Sequence, residues 1–252
     1  MKMLRNFTIR FVMLTILGIF CVMWAGVGLY STWSLSRVSD GNDVDRQLVR
    51  QMTVLSQGND QYFRFVTRLS RAMEVKAAGG TPDLAPAQQA LDNMSKKLAE
   101  MKAISPGPMD EKVSAQVIST WQALLDRGVT PQMAQAKQAT LEGYRQHANN
   151  VTPPLSRAFG SAAENFNNTA AKALDSTRVV VDGLTSMTRT VIITATIVGL
   201  LILLFTDRYL VAILVKPLDR IRQQFRQIAQ GDLSQPIESL RRNCVGQLVP
   251  LL

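Results

Sequence analysis

Three arginines lie along one side of a predicted helix in the stretch YFRFVTRLSRAME. Arg64, Arg68 and Arg71 stand four and then three residues apart, a spacing that stacks side chains on one helical face. Like charges at this spacing repel each other by roughly 0.2–0.5 kcal/mol per pair. Guanidinium groups bind carboxylates through paired hydrogen bonds, so a bound anion would offset this repulsion. The alternative is a solvated basic face whose arginine stems lie over apolar neighbours.

Two phenylalanines favour a contact at this basic face. The apolar stripe of the same helix consists of Tyr62, Val66, Leu69 and Met73. Phe63 and Phe65 fall between these positions, as the arginines do, so we expect both rings to be exposed on a single chain. Aromatic rings that are exposed on a single chain, beside arginines, indicate a surface that a partner subunit covers. We therefore expect a homodimer in which arginines from both chains line a groove for a small anionic ligand.

The sequence offers no other reactive constellation. It contains no G-x-S-x-G, H-E-x-x-H or P-loop motif. Cys21 and Cys244 form neither a disulfide framework nor a zinc-binding spacing, and His147 has no neighbouring metal ligands, so it fits a solvated or capping histidine. We expect a protein that is not an enzyme and that needs no metal and no cofactor.

Two long uncharged stretches predict membrane helices. No charged residue occurs in residues 11–35 or in residues 190–206. A bilayer core of about 30 Å requires about 20 apolar residues in a helix. We therefore predict transmembrane helices at residues 11–33 and 189–213. A cleavable signal peptide is the alternative for the first stretch, but the apolar run is long and no small-residue cleavage site follows it.

Basic residues lie before the first predicted span and after the second. Those before the first span and after the second are Lys2, Arg5, Arg10, Arg208, Lys216, Arg220, Arg222 and Arg226. The positive-inside rule then places both termini in the cytoplasm, with residues 1–10 as a cytoplasmic N-terminus and residues 34–188 outside. The net charge of +9 comes mostly from these flanks, so it reflects membrane topology, and we expect no nucleic-acid partner.

The outer segment has the apolar periodicity of helices throughout. A first helix is interrupted by AAGGTPD at residues 77–83, and a second ends at SPGP, residues 105–108. A third begins near Val113 and continues irregularly to about Gln146. The fourth begins at Thr152 and runs into the second span. The predicted fold class is all-α, an up-down four-helix bundle between two transmembrane helices.

The segment after the second span predicts a coiled coil and a connector. Its apolar residues step by three, four and three, and they are Leu218, Ile221, Phe225 and Ile228. The sequence GDL at residues 231–233 ends this helix. A second helix is expected from about Asn243, with Val245, Leu248 and Leu252 as its stripe.

The layout and three motifs together resemble a bacterial methyl-accepting chemotaxis protein of the aspartate/serine/citrate type. KPLDRIRQQFRQIAQGDLSQPIE resembles a HAMP linker, TRLSRAMEVKA resembles the arginine-bearing ligand segment, and VTPPLSRAFGSAAENF resembles the start of the fourth helix. The resemblance implies the ligand-binding residues Arg71 and Thr152, and also Arg68 when the match includes a gap of two residues. Arg64 is added as a candidate because it lies on the same basic face. A threonine at a helix start also fits an N-cap, and the two roles are compatible. The family's last arginine falls at about Val75 or Lys76, which leaves the ligand unnamed.

The implied function is a transmembrane chemoreceptor of the bacterial inner membrane. It would sense a small, carboxylate-bearing amino or organic acid and pass a helix shift to HAMP. The sequence ends at Leu252, so we expect a receptor truncated within its HAMP domain, residues 214–252; natural truncation, gene disruption and a partial chain all remain open. A chemotaxis kinase complex is an expected partner only with the missing cytoplasmic part. The alternatives are the input half of a HAMP-containing histidine kinase or cyclase, and a structural bundle without a ligand.

Overall fold

The computed structural model describes residues 9–138 and 140–230, which are almost entirely helical. The predicted HAMP connector, the second HAMP helix and the basic residues Lys2 and Arg5 lie outside the described residues. The helices are α1 (Ile9–Ala77), α2 (Ala85–Ile104), α3 (Glu111–Ala123), α4 (Thr130–Gln138), α5 (Leu141–Asn150), α6 (Thr152–Leu210) and α7 (Lys216–Ala229). Two π-helical segments, Leu124–Val129 and Val211–Val215, join α3 to α4 and α6 to α7. No strand occurs among the described residues, which agrees with the predicted all-α class.

The chain divides into two compact units. One comprises residues 37–182, and we call it the bundle unit. The other, the membrane-helix unit, comprises residues 1–36 and 183–252 as far as they are described. Helices α1 and α6 each contribute residues to both units.

Large aromatic side chains lie among the leucines, methionines, valines and alanines in the core of the bundle unit. Trp121 and Phe166 are completely buried, and Phe159 is 1% exposed. The centroids of the Trp121 and Phe159 rings lie 5.3 Å apart, so α3 packs against α6. Because each such ring removes a large apolar area from water, these residues supply much of the stabilisation of the bundle.

The first two predicted helix breaks are confirmed. Helix α1 ends at Ala77, where Gly79 adopts a φ of +84° and Gly80 donates its backbone N–H to the Val75 carbonyl. This left-handed conformation is one that glycine adopts without steric cost. After the SPGP break, α3 begins with Asp110 as its N-cap, and the Asp110 carboxylate accepts hydrogen bonds from the backbone N–H groups of Lys112 and Val113.

The structure differs from the prediction in the second half of the third predicted helix. It continues without interruption from α3 through the π-helical segment to Gln138, and a separate helix, α5, then extends to Asn150. Pro131 is the second residue after the π-helical segment. A proline inside a helix removes one hydrogen bond and presses on the carbonyl four residues earlier, and a widened turn accommodates both effects. The predicted irregular stretch up to Gln146 is therefore a regular helix with its own N-cap, Thr140.

A charged network joins α2 to α1 through Glu100. Lys97 Nζ donates to Glu100 Oε2 at 2.9 Å, and Arg50 lies 3.5 Å from the other carboxylate oxygen. The hydrogen bond from Lys97 is the main cause that lowers the pKa of Glu100 below its ordinary value. A lowered pKa in the folded state means that this network contributes to stability above the unfolded pKa and is lost as the pH falls through the folded one.

A buried glutamine holds the loop between α2 and α3. Gln51 is 0% exposed, and its Nε2 donates to the carbonyl oxygens of Ile104 and Pro106, each at 2.9 Å. Ile104 is the last residue of α2, so its carbonyl has no helical N–H group to pair with. The Pro106 carbonyl, in the loop, also accepts from the backbone N–H of Met109 at 3.0 Å.

The Gln51→Leu variant is expected to be less stable by about 1–2 kcal/mol, because the Ile104 carbonyl would lose its donor and an unsatisfied buried group costs about 1–3 kcal/mol, whereas the Pro106 carbonyl keeps the Met109 N–H and the unpaired Gln51 Oε1 is removed. Urea denaturation of the bundle unit measures this change as a lower midpoint. The exposed Gln57→Leu variant is the matched control and should shift the midpoint little. Equal midpoints for the two variants would contradict the role assigned to Gln51.

The membrane-helix unit exposes apolar side chains along both long helices. In α1, Leu14, Val22 and Leu29 are 57%, 74% and 75% exposed. Two helices, in the ranges Arg10–Ala77 and Leu141–Gln227, are long and apolar enough to cross a membrane. The buried Ser34 hydroxyl and the Thr188 hydroxyl form a hydrogen bond of 2.6 Å within this unit.

The first predicted HAMP helix is present as α7. Ile221 is 8% exposed, whereas Leu218 and Phe225 are 46% and 50% exposed. The predicted apolar stripe is therefore only partly covered on a single chain.

Candidate ligand-binding site

The arginine ridge, defined as Arg64, Arg68 and Arg71, is on the bundle unit in α1. Arg64 Nε forms an ion pair with Asp60 Oδ2 at 2.7 Å, one helical turn away. Half-buried Arg68 donates to the Pro86 carbonyl in the first turn of α2 at 3.0 Å. Arg71 is exposed and forms no ion pair or hydrogen bond with another described residue. The mutual repulsion is thus offset locally at two arginines, and Arg71 alone has a free guanidinium.

The two phenylalanines beside the ridge behave differently. Phe63 is 59% exposed, as predicted, but Phe65 is 0% exposed and belongs to the bundle core. The prediction that Phe65 is exposed was wrong. The buried face of α1 follows Tyr62, Phe65, Leu69, Ala72 and Met73. This face is broader than the strict alternation of three and four residues from which the prediction was made.

Thr152 lies inside the bundle unit. It is 3% exposed, and its Oγ1 donates to Gln132 Oε1 at 2.8 Å. Helix α6 begins at Thr152 itself, so Thr152 is the first helical residue. Its hydroxyl therefore joins α6 to α4. The hydrogen bond that Thr152 makes is with a side chain of α4, whereas an N-cap would accept one from a backbone N–H group of α6.

A cavity of about 550 Å³ opens beside Thr152. Residues of α1, α4, α5 and α6 line it, all within the bundle unit. The polar lining includes Ser70, Glu74, Gln132, Arg145, Asn149 and Thr152. The apolar lining includes Tyr62, Val66, Met73, Leu141 and Tyr144. Binding pockets for small molecules typically occupy about 300–1,000 Å³ and combine apolar walls with a few polar groups, which this cavity does.

The structure does not unite the four predicted site residues in one pocket. Thr152 lines the cavity, but none of the three arginines does. Arg71 is adjacent in sequence to Ser70, which does line it. A ligand shared by Arg71 and Thr152 would therefore need a further contribution, such as the second chain that the sequence predicts.

The cavity also contains residues that the sequence did not single out. Arg145 and Tyr144 come from α5, which was not recognised as a separate helix, and Glu74 is on α1. The available signal was Thr140 followed by LEGYRQHANN, an N-cap before a helical stretch. His147 of the same helix donates from Nε2 to the Gly128 carbonyl at 2.8 Å, which anchors α5 to the preceding π-helical segment.

A helical ligand-binding bundle combined with two long apolar helices and a HAMP domain defines a chemoreceptor. Residues 3–174 match the family model described as Tar ligand binding domain homologue, and residues 209–249 match HAMP. The chain belongs to this Tar ligand-binding domain family. The prediction of a methyl-accepting chemotaxis protein with a HAMP domain is confirmed, and the two matches point to a signal receptor rather than to an enzyme.

A solved structure is similar to the bundle part of the chain. It is a 2.0 Å crystal structure of the N-terminal ligand-binding domain of a protein described as a methyl-accepting chemotaxis protein from Salmonella enterica. The two sequences are 65% identical, the match covers 53% of this chain and 98% of that one, and the TM-score is 0.52. No curated protein matched the chain. The Salmonella domain crystallised as a separate segment, so the corresponding part of this chain is expected to fold by itself.

Proposed function

We propose that the chain is an inner-membrane chemoreceptor that senses a small carboxylate-bearing molecule outside the cell. Binding occurs in a groove between two copies of the chain, with Arg71 as the principal carboxylate ligand and Arg64, Arg68 and Thr152 as further contributors. The observation that carries this proposal is the free guanidinium of Arg71. An exposed arginine without a partner, on a ridge where Arg64 and Arg68 are already engaged, is a site ready to accept an anion.

The proposed signal is a shift of α6 relative to α1. Helix α6 runs from Thr152 at the ligand-binding end to Leu210 and continues through a π-helical segment into α7. A ligand shifts such an equilibrium only if it binds one arrangement more tightly than the other. A difference of about 1.4 kcal/mol gives a tenfold shift.

The proposed topology places the bundle unit in the periplasm and both termini in the cytoplasm. Its support is the distribution of arginine and lysine at the outer ends of the two apolar helices. The exposed leucines and valines of α1 suit a lipid environment, because they have few protein partners in the described chain.

A thermal-shift screen of organic acids and amino acids on the separate segment of residues 34–188 tests the ligand class. A ligand present at a hundred times its Kd adds about 2.7 kcal/mol of stability. For a domain of this size that corresponds to a rise in Tm of roughly 5–11 °C. Stabilisation by neutral amides of the same acids as strong as by the acids themselves would argue against a carboxylate site. No stabilisation by any acid at millimolar concentration would favour a structural bundle.

The runner-up is the input half of a HAMP-containing histidine kinase or cyclase. HAMP domains connect many kinds of output, so the HAMP match supports both functions equally. The match to the Tar ligand-binding family over residues 3–174 favours the chemoreceptor. The coding sequence after codon 252 distinguishes them: glutamate- and glutamine-rich heptads indicate a chemoreceptor, and catalytic motifs indicate an enzyme.

A further inference from the structure

A hydroxyl pair joins the two long helices where both predicted membrane spans end. Ser34 of α1 and Thr188 of α6 are the residues next to the predicted spans, 11–33 and 189–213, at the end that faces the bundle unit. Their side-chain oxygens lie 2.6 Å apart, and either hydroxyl can be the donor. Ser34 is 2% exposed, so little water reaches the pair to compete for this hydrogen bond.

The hydrogen bond favours one register of α6 along α1. Serine and threonine carry the hydroxyl on the first side-chain carbon, so the two oxygens reach only a short way along the helix axes. The bond weakens as α6 moves along α1, and it is lost well before a displacement of one helical turn, about 5.4 Å.

The apolar contacts in the same unit do not restrict the register in this way. A Cβ added to Gly199 of α6 would lie 3.5 Å from Phe20 Cε2 and 3.6 Å from Met23 Cε, so apolar side chains of α1 border α6 there. Contacts of this kind are not directional, and they form again after a small displacement. The hydroxyl pair is therefore a contact that can distinguish one register from the next.

Two neighbouring hydroxyls do not join the helices. Tyr30 lies one helical turn before Ser34, and its buried hydroxyl has no hydrogen-bond partner among the described residues. Thr190, two residues after Thr188, donates to the Ser186 carbonyl of its own helix at 3.0 Å. Tyr30 and Thr190 therefore provide matched controls for the pair, one on each helix.

We propose that the Ser34–Thr188 pair is a register latch, a contact that holds α6 at its described position along α1. The latch rests on the proposed signal, a shift of α6 relative to α1, and supplies a contact that opposes this shift. A typical intramolecular hydrogen bond favours the bonded arrangement roughly 2- to 13-fold. Coupling between two sites in a protein typically changes an affinity about 5- to 150-fold, so a ligand can overcome a latch of this strength.

Disulfide formation in membranes that contain the full chain tests the latch in the absence of ligand. In a chain with Cys21 and Cys244 replaced by alanine, Gly199→Cys is combined with Phe20→Cys in one variant and with Met23→Cys in another. Copper phenanthroline is the oxidant, and the readout is the ratio of the two rates of disulfide formation. Phe20 lies three residues before Met23 in α1, so a displacement of α6 along α1 raises one rate relative to the other.

Removal of either hydroxyl of the latch is expected to change this ratio. Ser34→Ala and Thr188→Val should each change it at least about twofold and in the same direction. The double variant should give the same ratio as each single variant, because both substitutions remove one shared bond. Tyr30→Phe and Thr190→Val should leave the ratio unchanged.

Unchanged ratios in both Ser34→Ala and Thr188→Val would overturn the latch, and so would changes that add up in the double variant. A change of equal size in Tyr30→Phe would also contradict it, because the effect would then follow the loss of any hydroxyl near the interface. The ratio is measured without ligand, so failure of the acid screen, which would remove the proposed function, leaves this result to be judged by itself.

Discussion

The Gly58→Ala variant is expected to lose about 2–3 kcal/mol of stability, although alanine is the better helix former. Gly58 lies in α1 directly under the indole of Trp121, and an added Cβ would overlap the Cζ2 and Cη2 atoms of that ring. Trp121 is 0% exposed and packed against Phe159, so it has no free space into which to move. Overpacking of a core costs typically about 1–3 kcal/mol and occasionally more, against about 1 kcal/mol gained in helix propensity.

Thermal unfolding of the segment of residues 34–188 measures this effect. The overlap is severe, so we expect a net loss of about 2–3 kcal/mol and a Tm lower by roughly 4–12 °C. Gly160→Ala is the matched control, because Gly160 is exposed in α6 and an added Cβ meets no atom within 4 Å. It should raise the stability slightly. A Gly58→Ala variant as stable as Gly160→Ala would show that Gly58 of α1 and Trp121 of α3 are not in close contact.

The Arg71→Ala variant is expected to bind the best acid of the screen at least tenfold more weakly. A hydrogen bond to a charged group contributes about 1.5–3 kcal/mol, which corresponds to roughly a 10- to 150-fold change in Kd. At a ligand concentration close to the Kd of the unchanged protein, the variant should show only a small fraction of the unchanged protein's heat of binding. Arg71 is exposed and makes no described contact, so the Tm of the unliganded variant should remain unchanged.

The other arginines provide graded comparisons for this prediction. Arg64→Ala and Arg68→Ala should weaken binding less, because Asp60 and the Pro86 carbonyl already engage these side chains. Arg157→Ala, off the ridge, should not change Kd. Equal Kd values for Arg71→Ala and Arg157→Ala would exclude Arg71 from the site.

The architecture was predictable because its signals are local. The two uncharged stretches, the break at residues 77–83 and the SPGP break at residues 105–108 are each encoded within a few residues, and the structure has helices and breaks where these signals predict them. The first HAMP helix was predictable for the same reason, since its stepped apolar residues lie in a single segment.

The site was harder to predict because its contacts are distant in sequence. Arg68 meets Pro86, Thr152 meets Gln132, and Gln51 meets Ile104, and no local spacing encodes these pairs. Phe65 was misplaced because a helix that touches three neighbours buries more than one narrow stripe. Glu74 and Arg145 line the same cavity only because α5 packs beside α1.

Labelling of single cysteines in spheroplasts tests the central claim, that a sensing bundle lies outside the membrane and HAMP lies inside. In a chain with Cys21 and Cys244 replaced by alanine, Ser119→Cys marks the bundle unit and Gln223→Cys marks α7; both positions are exposed. A membrane-impermeant maleimide should label Ser119→Cys in intact spheroplasts and Gln223→Cys only after lysis. Labelling of Gln223→Cys in intact spheroplasts, with Ser119→Cys protected until lysis, would contradict the account.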